Sequence, residues 1–152
     1  MAKIQIKYKK IRDVKNFEYS IGNCGIDFFI PNKINTLNVI RLESLQQAII
    51  PSGYLFNLPE GYALLFVNKS GQSTKKNLQV TATLVDSSYI QEVHLCVRNI
   101  GKDAVEIKAG EKLVQAIIIQ DFIYKTEFEE VNEITKVTKR TGGFGSTDIK
   151  TN

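Results

Sequence analysis

The sequence predicts an all-β fold, an antiparallel sandwich or barrel-like arrangement of short strands. Two observations carry this reading. Several segments show the period-two alternation of a half-buried strand or the continuous apolar run of a fully buried one. Proline- and glycine-rich turn signals separate them at short intervals. Helical periodicity is thin by comparison.

Taken in order, Ile4, Ile6 and Tyr8 alternate with Lys3, Gln5, Lys7 and Lys9, as in a strand with one buried face. Leu42, Leu45, Gln46 and Ile49 have helical spacing, but Pro51 ends the run and Ile49-Ile50 favour extended backbone, so a strand is expected there. Gly61 to Val67 is apolar on both parities and reads as a strand buried on both faces. Ser70 to Lys75 fits one short helical turn. Asp86 and Tyr89, between strands, fit a β-hairpin tip. Val93, Leu95 and Val97 alternate with His94, Cys96 and Arg98; further strands begin at Val105 and at Leu113. Turns are signalled at Pro31-Asn32, Pro51-Ser52-Gly53, Pro59-Glu60-Gly61, Asn99-Ile100-Gly101 and Lys108-Ala109-Gly110.

The 152 residues suit one domain, and a chain of this length buries a real core without staples. Apolar residues at 43% and charged residues at 24% lie in the globular range. No apolar run approaches the ~20 residues of a membrane helix. The basic, alternating N-terminus does not resemble a secretory signal. Two cysteines, Cys24 and Cys96, exclude a disulfide-framed scaffold, and with a single histidine they offer no zinc site. A cytoplasmic or other reducing intracellular compartment is expected, with no membrane partner. Cys24, beside Gly25, reads as a small packing residue and His94 as an ordinary strand residue. The net charge of +4 is spread along the chain, which suits a polyanionic small ligand as well as a solvated surface and does not point to a nucleic-acid polymer. Composition changes after Tyr124. Residues 1–125 read as the β-rich core and 126–152 as a mobile C-terminal arm ending in a glycine-rich run.

Three places carry residue types suited to phosphate or proton chemistry. In Gly142-Gly143-Phe144-Gly145-Ser146-Thr147, glycines allow close backbone approach to a phosphate, the hydroxyls add donors, and Phe144 offers a flat ring. The spacing is not that of a P-loop. Lys69-Ser70-Gly71 combines a cation, a hydroxyl and a glycine N–H. In Val85-Asp86-Ser87-Ser88-Tyr89, Asp86 suits a general base and Tyr89 a pocket wall. Each alone is matched by a bland reading: a flexible end, a surface turn, or a turn aspartate bonding its own backbone.

Their order and spacing are more specific. With Asn23-Cys-Gly-Ile-Asp27-Phe-Phe ahead of them and Gly110-Glu-Lys-Leu-Val-Gln115 between the second pair, the five segments resemble the motifs of the trimeric dUTP pyrophosphatase (dUTPase) family, in that family's order. The stretch Ile50 to Gly61 resembles the family's approach to its second motif. The resemblance implies a jelly-roll-like β-sandwich subunit of the β-clip type, a flexible arm, and a homotrimer with shared active sites. It implies hydrolysis of dUTP to dUMP and pyrophosphate. Asp86 would activate water, Tyr89 would pack under the deoxyribose, and backbone near Thr83 would meet the base. Lys69, Ser70, Gly71 and Gln115 would bind phosphate. Lys139, Phe144, Gly145, Ser146 and Thr147 would close over the nucleotide from the arm, and Asp27 would support the site. Mg²⁺ would be bound mainly through the triphosphate, with no protein metal cage.

The chain departs from the pattern at several positions. Lys69 stands for the usual Arg, which turns a bidentate phosphate contact into a point charge. Lys139 stands at the usual Arg of the arm, with Arg140 displaced by one. Thr83 replaces a glycine, Gln72 a leucine, and Ile90-Gln91 an Arg-Gly pair. Such departures mark a divergent member, with a virus or phage as one candidate source. They also leave open a nucleotide-sensing or partner-binding protein on the same scaffold. A dCTP deaminase relative is the lesser alternative, because the Glu its chemistry needs is matched here by Cys96.

Overall fold

The structure, a computed structural model, describes residues 3–135. Eleven short strands are connected mainly by turns: β1 (Lys7–Lys10), β2 (Ile26–Phe29), β3 (Val39–Leu42), β4 (Gln47–Pro51), β5 (Tyr54–Asn57), β6 (Tyr62–Asn68), β7 (Leu78–Val80), β8 (Leu84–Val85), β9 (His94–Asn99), β10 (Val105–Lys108) and β11 (Lys112–Gln120). One short helix, α1 (Ser70–Lys76), follows β6, and a single 3-10 turn spans Ile123–Lys125. All strand pairs are antiparallel. A four-stranded sheet has the order β2-β11-β6-β8, a three-stranded sheet β4-β9-β7, and β1-β5 and β10-β3 form two-stranded ribbons. The all-β, jelly-roll-like expectation holds.

Every sheet contributes to one core. Phe28 of β2, Ile50 of β4, Phe56 of β5, Leu64 and Phe66 of β6, Leu95 and Val97 of β9, Ile107 of β10 and Val114 of β11 are all buried. Tyr54 is fully buried and brings its hydroxyl in with partners: it donates to the Lys15 carbonyl at 2.6 Å and accepts from the Phe17 N–H at 3.1 Å. Around it, Phe17, Phe28 and Phe56 lie with ring centroids 5.5 to 5.8 Å away, in tilted, edge and stacked geometries.

The strand expectations at 61–67, 93–97, 105–107 and 113–119 correspond to β6, β9, β10 and β11. Gly53, Gly61 and Gly110 take positive φ at the expected turns. The helical spacing around Leu45 is coincidental. Leu45 sits exposed at φ 65 in the turn between β3 and β4, so the strand expectation holds in two pieces. The helical turn expected at 70–75 is α1, closed by Asn77 in the left-handed conformation.

Three readings change. The N-terminal alternation forms a strand only from Lys7, and all four residues of β1 are exposed, because the ribbon it makes with β5 leaves its outer face uncovered. Cys24 is exposed rather than packed. The turn at 86–89 does not join two paired strands. β7 and β9 are the paired arms, Val80 opposite Val97, and the chain between them leaves this sheet to add β8 to the edge of β6.

Candidate active site

The sheet β2-β11-β6 builds one site through its register. Glu18 bridges Asp27, Asp27 pairs with Gln115, and Gln115 pairs with Val67. Residues directly opposite in antiparallel strands present side chains on the same face. The four therefore form a row across the sheet, and all four line a cavity of about 530 Å³. Lys69, two residues beyond Val67, completes one wall.

Lys112 reaches the same face through an irregularity. It lies three residues before Gln115, and strict alternation would send the two to opposite faces. The register of β11 on β2 slips between Lys112 and Val114, as in a β-bulge, so that Lys112 stands opposite Phe29 and Gln115 opposite Asp27. The extra residue, Leu113, is buried.

The Asp27 carboxylate is held by both cations. Lys69 Nζ donates to its two oxygens at 3.0 Å, and Lys112 Nζ lies 3.2 Å from Oδ2 and 2.5 Å from an oxygen of Glu18. Partial burial favours the neutral acid, yet the hydrogen bonds from Lys69 and Lys112 win and hold Asp27 below its usual carboxylate range. Glu18 and then Asp27 raise the Lys112 ammonium above its ordinary value. Each lysine keeps about a third of its side chain exposed.

The amides that frame this site are also tied. Gln115 Nε2 donates to the Asn68 carbonyl at 2.9 Å, leaving Oε1 beside Gly25. Gln72 of α1 donates to the Lys112 carbonyl at 2.7 Å, linking the Lys69-Ser70-Gly71 segment to β11. Ser70 and Gly71 are exposed at the start of α1 and do not line the cavity. The space around Gly71 is open.

Asp86 and Tyr89 line a different, smaller cavity of about 170 Å³, with Phe66, Val85, His94 and Cys96 among its walls. Asp86 is exposed at the start of a tight turn closed by the Tyr89 N–H to Asp86 carbonyl bond at 3.1 Å. The Tyr89 hydroxyl donates to the Glu92 carbonyl at 3.0 Å. The Thr83 carbonyl accepts from the Phe66 N–H at 2.6 Å, so it is already spent on the sheet. Burial pushes the Cys96 thiol up, which leaves it an uncharged wall.

The structure therefore brings Asp27, Lys69 and Gln115 together, and Asp86 with Tyr89 separately. Lys139, Phe144, Gly145, Ser146 and Thr147 lie outside the described residues. Sequence reasoning missed Glu18 and Lys112 as members of the first site. Lys112 stands within a quoted motif, but its parity argued against the site face until the slipped register is known. Glu18 carries no local signal at all. Among the described residues no group of three or more His, Cys, Asp or Glu is placed to hold a metal ion, and no helix is long and apolar enough to cross a membrane.

The fold is that of a jelly-roll-like β-protein with a charged, amide-framed cavity on one sheet and an Asp–Tyr turn at that sheet's far edge. The family model for dUTPase matches residues 34–148. The chain is 31% identical over 153 residues to the deoxyuridine 5'-triphosphate nucleotidohydrolase of Bdellovibrio bacteriovorus, covering 97% of this chain and 98% of the relative. It is 30% identical over 150 residues to the enzyme of that name from Fusobacterium nucleatum, covering 97% and 99%. The G164S mutant of the Staphylococcus bacteriophage 80alpha dUTPase, solved with dUpNHpp, superposes with a TM-score of 0.80 at 21% identity, covering 94% of this chain and 98% of that one. The chain belongs to the dUTPase family.

Proposed function

We propose that this protein hydrolyses dUTP to dUMP and pyrophosphate, with water attacking the α-phosphorus and Asp86 as the general base. The observation that carries the reading is the convergence of Asp27, Lys69, Lys112 and Gln115 on one cavity, in a chain whose relatives carry that enzyme name. Two ammonium groups and an amide offer donors to a triphosphate; Asp27 and Glu18 already balance the lysine charge, so the metal ion and the arm cation supply the rest. Asp86, exposed at its turn, is free to accept a proton from water. Tyr89 supplies a ring for the sugar, and those backbone N–H groups and carbonyls of the 82–93 loop that the sheet and the turn do not engage are left for the base.

The complete site is shared between copies in a homotrimer. β2 and β8 are opposite edges of one sheet, three strand spacings or roughly 14 Å apart. Val67 lines the first cavity and its neighbour Phe66 the second, and successive strand residues face opposite sides of a sheet. Asp86 of one copy therefore meets the phosphate cavity of another. The arm residues Lys139, Phe144, Gly145, Ser146 and Thr147 close the nucleotide in.

The donor set fits a magnesium ion that arrives with the substrate. Both oxygens of Asp27 are engaged by lysines, and Glu18 is paired with Lys112, so these carboxylates offer water-mediated contacts rather than a cage. When bound, the ion offsets the charge of the triphosphate.

The test is pyrophosphate release measured side by side with dUTP, UTP, dCTP and dTTP in the presence of Mg²⁺. Release from dUTP well above the other three is expected. Ammonia from dCTP, or tight dUTP binding without turnover, overturns the reading and favours the deaminase or the sensor alternative respectively.

A further inference from the structure

We propose that Arg12 and Glu92, which line neither the lysine-bearing cavity nor the Asp86–Tyr89 cavity, form a clamp that positions Tyr89 and so sets discrimination between deoxyribose and ribose. The proposal rests on the assignment of dUTP as substrate and of Tyr89 as the sugar wall.

The geometry starts at Glu92. Its carboxylate accepts three donors. Arg12 Nε donates to Oε1 at 2.6 Å, Arg12 Nη2 to Oε2 at 2.9 Å, and the Gly53 N–H to Oε1 at 2.9 Å. The Arg12 contacts form the planar two-point fork that only a guanidinium makes. Glu92 keeps 14% of its side chain exposed, so the pair is partly shielded from water. Arg12 foremost, against the opposing effect of burial, holds the Glu92 carboxyl below its usual range.

The backbone around the clamp is knotted to the same place. The Ile11 N–H donates to the Gly53 carbonyl, the Ser52 N–H to the Val93 carbonyl, and the Val93 N–H to the Tyr54 carbonyl, at 2.9 to 3.0 Å. Gly53 is at φ 82, and a Cβ there would press on Arg12 and Val14. Three distant stretches, 11–14, 52–54 and 92–93, thus meet at one point. That point holds the Glu92 carbonyl, which receives the Tyr89 hydroxyl at 3.0 Å. Tyr89 is otherwise loosely placed: it is 40% exposed, its next neighbour Ile90 is 67% exposed, and its N–H closes only the local turn. The hydroxyl bond to a clamped carbonyl therefore fixes where the ring stands.

A wall excludes a 2′-hydroxyl only if it cannot retreat, since discrimination by shape depends on what the site refuses to accommodate. Releasing the clamp lets the ring move away from the sugar. UTP then gains relative to dUTP, while Asp86 and the phosphate cavity remain as they were.

The experiment compares the native protein with Arg12→Met, Glu92→Gln, Tyr89→Phe and the double variant Glu92→Gln/Tyr89→Phe. Each is assayed for kcat/KM with dUTP and UTP, for equilibrium binding of dUMP and UMP, and for Tm. Glu92→Gln retains an acceptor for Gly53, which protects the fold. The expected result is a fall of about tenfold in the dUTP-to-UTP ratio for each single variant, within the 10–200-fold range that a lost shape contact typically spans. The double variant should lose no more than either parent, because both changes remove one linkage. The dUMP-to-UMP affinity ratio should fall in parallel. A loss shared equally by both nucleotides, or an unchanged ratio in properly folded Arg12→Met and Glu92→Gln, overturns the clamp. Native protein that binds dUMP over UMP through the clamp but releases no pyrophosphate upholds the inference and overturns the hydrolase reading alone. Native protein that prefers neither nucleotide overturns both.

Discussion

At the scale of the residue, two positions separate chemistry from fold. Asp86 is exposed and, among the described residues, makes no side-chain hydrogen bond, its carbonyl alone closing the turn. Asp86→Asn is therefore expected to leave Tm unchanged while the rate of pyrophosphate release falls about 10²–10⁴-fold, the usual worth of a general base. Single-turnover kinetics with dUTP measure this, and near-native turnover would assign the base elsewhere. Gly25 works in the opposite way. A Cβ at this position would collide with the Gln115 side-chain carbonyl, the far end of a flexible group. Gly25→Ala is expected to fold but to displace the Gln115 amide from the Asn68 carbonyl, losing about 0.5–1.5 kcal/mol of hydrogen bonding. Because Gln115 faces the cavity proposed to hold the triphosphate, KM for dUTP should rise more than Tm falls.

At the scale of the element, β11 and α1 explain why the lysine-bearing cavity has its shape. The slipped register in β11 lets Lys112 and Gln115 share a face, and Leu113 anchors the irregularity in the core. Helix α1 has no buried residue of its own and is held by side-chain ties. Lys76 bonds both oxygens of Glu111 at 2.8 and 3.0 Å, and Gln72 reaches the Lys112 carbonyl. Gln72 also has a drawback: its Oε1 is shielded from solvent and has no partner among the described residues. Gln72→Leu removes a good donor and an orphaned acceptor together, and the two effects offset to within about 1 kcal/mol. Calorimetry should place its Tm within a few degrees of native. A large loss would mean that the Gln72 tie alone docks the helix.

At the scale of the whole molecule, the two cavities lie toward opposite edges of one sheet, and the proposed homotrimer would join them into one site. Sedimentation equilibrium should give the mass of three chains at concentrations where activity is full, and a single-chain mass there would contradict the shared site. Closed cyclic symmetry also covers surface that the subunit leaves bare. Deleting residues 138–152 should preserve that trimer and its Tm, yet lower turnover steeply, because Phe144 and the Gly-Ser-Thr donors no longer enclose the nucleotide. Phe144→Ala should lose part of the same effect, about 1–3 kcal/mol for a ring stacked on a base. Native kcat and KM in the truncated protein would count against the arm as a lid.

What the sequence determined by itself was the strand menu and the order of the chemical segments. Period-two alternation at 93–97, the apolar run at 61–67 and glycines at 53, 61 and 110 are local signals, because burial on one face and left-handed backbone each demand particular residue types. Asp27, Lys69 and Gln115 were legible as partners only through the motif order, and Asp86 with Tyr89 through their spacing. The tertiary structure alone decided the rest. Lys112 joins the site by a register slip that no periodicity reports, Glu18 by a bridge to β2, and Arg12 meets Glu92 across eighty residues. The exposed β1 and the departure of β8 from the β7–β9 pair likewise follow from which edges remain open. The reason is the same in each case: alternation tells which side of its own strand a residue faces, and only the pairing of strands tells what stands opposite.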